Sequence, residues 1–102
     1  MAFTIKWSDE ALEDIESIAT YIEKDSPFYA KSVVSKFFEK AEILQEFPEL
    51  GRQVPEFNDK TIREIFVYSY RLIYKLNKEE ILFVAVMHGK RIIENHIEII
   101  TK

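Results

Sequence analysis

The sequence predicts an α+β domain: an N-terminal strand, an antiparallel helical hairpin packed on an antiparallel sheet of about four strands, and a short C-terminal helix or tail. Three observations predict it. Apolar residues recur at three- and four-residue steps through two segments before Phe47. From Thr61 onward, strand-length runs are dense in Ile, Val, Phe and Tyr. Only a few residues join neighbouring segments within each half, so helix pairs with helix and strand with strand in antiparallel fashion.

The elements follow in order. Phe3–Trp7 reads as a short first strand, with Phe3, Ile5 and Trp7 alternating with Thr4 and Lys6. Ser8 offers an N-cap, and Asp9 and Glu10 suit the positive end of a helix dipole. The first helix runs from about Asp9 to Lys24. Leu12, Ile15, Ile18, Ala19 and Ile22 form its apolar stripe, and Glu13, Asp14, Glu16 and Glu23 its outer face. Asp25-Ser26-Pro27 ends it and starts another helix, with Ser26 as N-cap and Pro27 at the first helical position. Ala30, Val33, Val34, Phe37, Ala41 and Leu44 mark the buried stripe of this second helix, which Phe47-Pro48 stops.

Pro48 to Lys60 reads as a loop, holding two of the three prolines and one of the two glycines. Its length for a compact domain marks it as a functional candidate. Thr61–Val67, Tyr70–Leu76 and Ile81–Met87 then read as strands. Ser69 marks the break between the first two, and Asn77–Glu80 a hairpin loop between the last two. In the tail, Ile92, Ile93, His96, Ile97 and Ile100 fit a helical face, and Ile97, Ile99 and Thr101 fit a strand. A short helix is the expectation.

Composition bounds the function classes. The 102 residues fit one domain, 1–102, large enough to bury a core without staples. Hydrophobic residues at 47%, with eight Phe, five Tyr and one Trp, exclude a disordered chain. The chain has no cysteine, which rules out disulfides and thiolate metal sites. Two histidines make no quorum for a metal site, so neither metal nor cofactor is expected. His96, on its isoleucine-rich segment, reads as a packed or solvated side chain. No apolar run approaches a membrane span, and Met1–Trp7 is too short and mixed for a signal peptide. The default location is the cytoplasm.

The net charge of −4 is unevenly spread. Residues 1–51 hold 5 basic and 11 acidic residues, whereas residues 52–91 hold 8 basic and 5 acidic. The acidity argues against promiscuous nucleic-acid binding. The basic excess in the sheet half leaves room for one directed anionic contact.

Three segments carry a family resemblance. The first is Phe47-Pro48-Glu49-Leu50-Gly51-Arg52-Gln53-Val54-Pro55-Glu56. The second is Ile62-Arg63-Glu64 followed by Tyr70-Arg71-Leu72-Ile73-Tyr74. The third is Val84-Ala85-Val86-Met87-His88-Gly89-Lys90-Arg91. Together they resemble the "FPE-GR", "YR-IY" and "HG-R" signatures of the RelE/ParE toxin superfamily, in the same order and on the same plan of strand, two helices and three strands. The resemblance implies a type II toxin of the plasmid-stabilisation kind, neutralised by a cognate antitoxin in a hetero-oligomer. It also implies two targets. RelE-like members cleave mRNA in the ribosome, and ParE-like members poison DNA gyrase.

The candidate residues divide along the same line. Metal-independent RNA cleavage needs a base, cations to hold the phosphate and an acid for the leaving oxygen. By its place in the second motif, Arg71 matches the arginine that nucleases of the superfamily set on the phosphate. The alternative is a structural arginine paired with a carboxylate. His88 stands near the histidine that some of these nucleases pair with a tyrosine. Here Gly89 follows, and no tyrosine occurs later in the chain. Glu56 resembles a glutamate that acts as base in some nucleases. Arg52, Arg63, Arg71, Lys90 and Arg91 are candidates for binding a target or an antitoxin. For Arg52, Lys90 and Arg91 the rival reading is a solvated side chain. The aromatic set Phe37, Phe38, Phe66, Tyr68, Tyr70, Tyr74 and Phe83 is mostly core, with room for a base-stacking platform.

The "HG-R" ending without a tyrosine, the acidic balance and the long hairpin all favour the ParE-like, non-nuclease branch. A gyrase-directed toxin binds protein and needs no positive charge. The alternatives are a ribosome-dependent mRNA endonuclease using Arg71, His88 and Glu56, and a non-toxic protein-binding domain of the same fold.

Overall fold

A computed structural model describes residues 3–90. The expected C-terminal helix, His96 and Arg91 lie outside the described residues. The elements are β1 (Thr4–Trp7), α1 (Asp9–Glu23), α2 (Pro27–Ile43), β2 (Arg52–Gln53), β3 (Ile62–Val67), β4 (Tyr70–Asn77) and β5 (Glu80–His88). Two helices pack on one sheet, the α+β plan that the sequence predicts.

Both helices start as their caps require. The Ser8 hydroxyl accepts from the Ala11 amide at 3.0 Å, and the Ser26 hydroxyl from the Tyr29 amide at 3.1 Å. The second helix stops at Ile43, short of the expected Phe47-Pro48 boundary. Leu44 and Gln45 donate to Ala41 and Glu42, three residues back, which tightens the last turn before the proline. On α1, Ala11 and Ile15 are buried while Leu12 is exposed, so the buried meridian is turned by one residue from the expected stripe. Asp14 leaves the outer face assigned to it. Its carboxylate accepts from the Val86 amide at 2.9 Å and so ties α1 to β5.

The sheet has five strands in the order β1-β5-β4-β3-β2. Strands β2 to β5 are antiparallel, as expected, but β1 lies parallel beside β5. Parallel pairing needs a long crossover, and everything between β1 and β5 serves as one. The fifth strand, β2, is two residues inside the segment expected to be only loop. It pairs Arg52 with Glu64 and Gln53 with Arg63.

The two faces of the sheet bury different things. Towards the helices, Val33, Phe37, Ala41 and Leu44 meet Ile65, Val67, Leu72, Tyr74, Phe83 and Val86. Trp7 stacks on Phe83, with ring centroids 4.2 Å apart. On the far face a smaller cluster joins Val54, Ile62, Ile73, Val84, Ala85 and Met87. Val54 and Phe57 of the loop cover part of that face, so the loop is packed onto the sheet.

Candidate functional site

Tyr74 anchors the loop. Its ring is wholly buried, and its hydroxyl donates to the Pro48 carbonyl at 2.8 Å while accepting from the Gly51 amide at 3.1 Å. Arg63 adds a second tie, donating to the Gly51 carbonyl at 2.8 Å. A Cβ on residue 51 would stand 2.5 Å from both the Glu64 carbonyl and the Tyr74 hydroxyl. Only glycine fits there. The spacing of Pro48, Gly51 and Tyr74 is thus a clamp that delivers Arg52 to the sheet edge.

Register then sets the charged residues together. Arg52 lies opposite Glu64, and Phe66 opposite Arg71. Side chains alternate along a strand, so Glu64, Phe66, Arg71 and Arg52 share the far face. There they form a chain of ion pairs. Arg52 Nε donates to Glu64 Oε2 at 2.6 Å, and Arg71 Nε donates to Glu64 Oε1 at 2.7 Å. Arg71 Nη1 and Nη2 donate to the two carboxylate oxygens of Glu56 at 3.1 and 3.0 Å, a bidentate pair. The Arg52 guanidinium also lies over the Phe66 ring, 5.3 Å from its centroid.

Burial differs sharply along this chain. The side chain of Glu64 is 0% exposed and that of Arg71 6%, against 34% for Glu56 and 60% for Arg52. Two buried ions need each other, because an unpaired charge in the interior is costly. The hydrogen bond from Arg71 holds the Glu56 carboxyl below the usual carboxylate range. Burial works to lower the pKa of Arg71, but hydrogen bonds to Glu56 and Glu64 outweigh it and raise the pKa. Two arginines and two glutamates together carry no net charge.

The expected nuclease set is only partly assembled. Glu56 and Arg71 adjoin. His88, however, lies opposite Tyr70, whereas Arg71 lies opposite Met87, so His88 and Arg71 face opposite sides of the sheet. The exposed imidazole meets the Tyr70 ring edge-on at 5.8 Å, and its Nδ1 accepts from the Lys90 amide at 3.2 Å. Arg63 serves the loop backbone, and Lys90 is exposed at the strand end. Phe37, Tyr74 and Phe83 are core, while Phe66 and Tyr68 are exposed.

Sequence reasoning missed Glu64, which links the two arginines. Its signal was present: alternation with Ile62 and Phe66 places an acid on a strand face that is otherwise apolar. Tyr74 was read only as core or platform. Nothing in local pattern shows that its hydroxyl holds a loop more than twenty residues away.

Comparison with known proteins places this geometry. Residues 5–93 match the model of the family described as the ParE toxin of the type II toxin–antitoxin system parDE. The chain is 31% identical over 87 residues to Y4kP, a candidate toxin of Sinorhizobium fredii, covering 83% of this chain and 86% of that one. Among solved structures, the chromosomal ParDE system of Pseudomonas aeruginosa superposes with a TM-score of 0.72 at 18% identity, over 87% of this chain and 98% of that chain. A free arginine-to-alanine double mutant of the Escherichia coli toxin RelE gives 0.64 at 18% identity, over 88% and 86%. The fold is therefore common to both branches, and the match along the sequence is to one: the chain belongs to the ParE toxin family of type II toxin–antitoxin systems.

Proposed function

We propose that the chain inhibits DNA gyrase by binding it, without nuclease chemistry, and that a cognate antitoxin neutralises it. The observation that carries this is the state of Arg71. All three guanidinium nitrogens hydrogen-bond to Glu56 or Glu64, and the side chain is buried. A phosphate-holding arginine needs donors facing solvent. The candidate acid, His88, sits on the opposite face of the sheet from Arg71. The overall acidity agrees, since a ribosome-directed enzyme works among polyanions. The antitoxin follows from the family and from the ParDE system that the fold resembles. A gyrase target places the protein in the cytoplasm.

The test is direct. Purified chain added to gyrase and relaxed plasmid should suppress supercoiling or leave gyrase-dependent breaks. One feature favours the nuclease reading, the adjacency of Glu56 and Arg71. A translation extract with a defined mRNA decides it. Ribosome-dependent cleavage that vanishes in Arg71→Ala would overturn the gyrase proposal.

A further inference from the structure

Arg71 has two carboxylate partners of different standing. Glu64 lies inside a strand, its side chain wholly buried, and it also holds Arg52. Glu56 comes from the exposed tip of the 48–60 loop, with its side chain a third exposed. The loop does not depend on it for attachment. Val54 is buried, its amide donates to the Ile62 carbonyl at 3.1 Å, and the Phe57 amide donates to the Val54 carbonyl at 3.1 Å. Glu56 therefore occupies the outward edge of Arg71, and the backbone hydrogen bonds that hold the loop do not involve its side chain.

We infer that Glu56 stands in for an external carboxylate: an acidic side chain of a partner protein replaces it on Arg71, flanked by Arg52 and seated on Phe66. The occupant is argued from the site itself. The outward edge of Arg71 already holds a carboxylate in planar, bidentate form, at 3.1 and 3.0 Å. Arg52 supplies a second cation whose side chain is 60% exposed, and Phe66 beside it is 45% exposed. Aromatic residues and arginine are enriched where proteins meet. The net charge of −4 disfavours a polyanion such as RNA but not a single acid on a folded partner. Glu64 remains behind, so the buried arginine is never unpaired during the exchange. The inference rests on the proposal that this chain acts by binding protein.

Fluorescence anisotropy tests it with a dye-labelled octapeptide alternating Glu and Gly, its Gln counterpart, and a single-stranded octanucleotide. Glu56→Ala removes the internal competitor and should bind the acidic peptide roughly tenfold tighter than the unaltered chain. Adding Arg52→Ala should undo that gain, and the Gln peptide should not bind. Equal affinity of Glu56→Ala and the unaltered chain would overturn the inference, as would tighter binding of the octanucleotide than of the acidic peptide. The unaltered chain gives a second measurement that needs no variant. The 13C resonance of the Glu56 carboxyl should move toward that of a solvated glutamate as peptide is added, and a fixed resonance in the bound state counts against displacement. The assay contains no gyrase. Peptide binding by a chain that leaves gyrase untouched would support the exchange and defeat only the gyrase proposal.

Discussion

The two faces of the sheet solve opposite problems. The helix-side face is a conventional apolar core, in which Phe37, Leu72, Tyr74 and Phe83 are fully buried against one another. The far face buries charge, with Glu64 and Arg71 sunk beside Ile73 and Met87. The first face gains stability from area removed from water. The second gains little net stability from its ion pairs, because desolvation offsets attraction. What the far face gains is position: Glu64 holds Arg52 and Arg71 side by side at the edge where the 48–60 loop meets the sheet.

That difference is measurable. Phe37→Ala on one face and Glu64→Ala on the other should each cost about 3–5 kcal/mol in urea unfolding, by different mechanisms. The first leaves a cavity, and the second leaves Arg71 buried with only Glu56. The mechanisms separate on rescue. Glu64→Leu combined with Arg71→Met should recover most of the Glu64→Ala loss, because no buried charge is left alone. If the double variant is as unstable as the single one, the far face is a cooperative ionic core and the contrast fails.

Tyr74→Phe sharpens the comparison at the place where the faces communicate. The ring still fills the core, but the Pro48 carbonyl and the Gly51 amide lose their partner. A cost of about 1–3 kcal/mol is expected. Amide exchange should quicken at Gly51 and Arg52 before it does in α1 or α2. Ser8→Ala, which touches only the helix side, should cost about 1 kcal/mol through the lost N-cap and leave the loop unchanged.

The smallest effect is the response to acid. The folded-state pKa of Glu56 lies below its ordinary value of 4.5, held there chiefly by the hydrogen bond from Arg71. A lowered carboxyl stabilises the fold above the unfolded pKa and loses that contribution as pH falls through the folded value. Thermal unfolding of the unaltered chain should therefore weaken below pH 4.5 by more than that of Glu56→Gln. Matching acid profiles would mean that the Glu56–Arg71 pair adds nothing to stability.

Much of the fold was legible in the chain. Helical periodicity before Phe47, the Ser8 and Ser26 caps, and β-rich runs after Thr61 each act over a few residues, so a local pattern reveals them. The exceptions have physical causes. The Leu12 expectation failed because helices present broad stripes, and packing against β5 chose the meridian through Ala11 and Ile15. Asp14 reads as a solvated acid until β1 ends at Trp7 and leaves the Val86 amide without a strand partner on that side. The candidate site was half legible. Arg71, Glu56 and Arg52 were chosen by motif, but their joint partner Glu64 was not.

By itself, then, the amino-acid order determined the element types, the hairpin-on-sheet plan and the toxin superfamily, because spacing and capping are local and the motifs lie in a fixed order. Only the tertiary structure decided the parallel partner of β1, the separation of His88 from Arg71 and the enclosure of Arg71 by two carboxylates. Each of those depends on strand register, and register is set by contacts between residues far apart in the chain. A slip of β4 by one position would turn Arg71 toward the helices, onto the side where His88 stands.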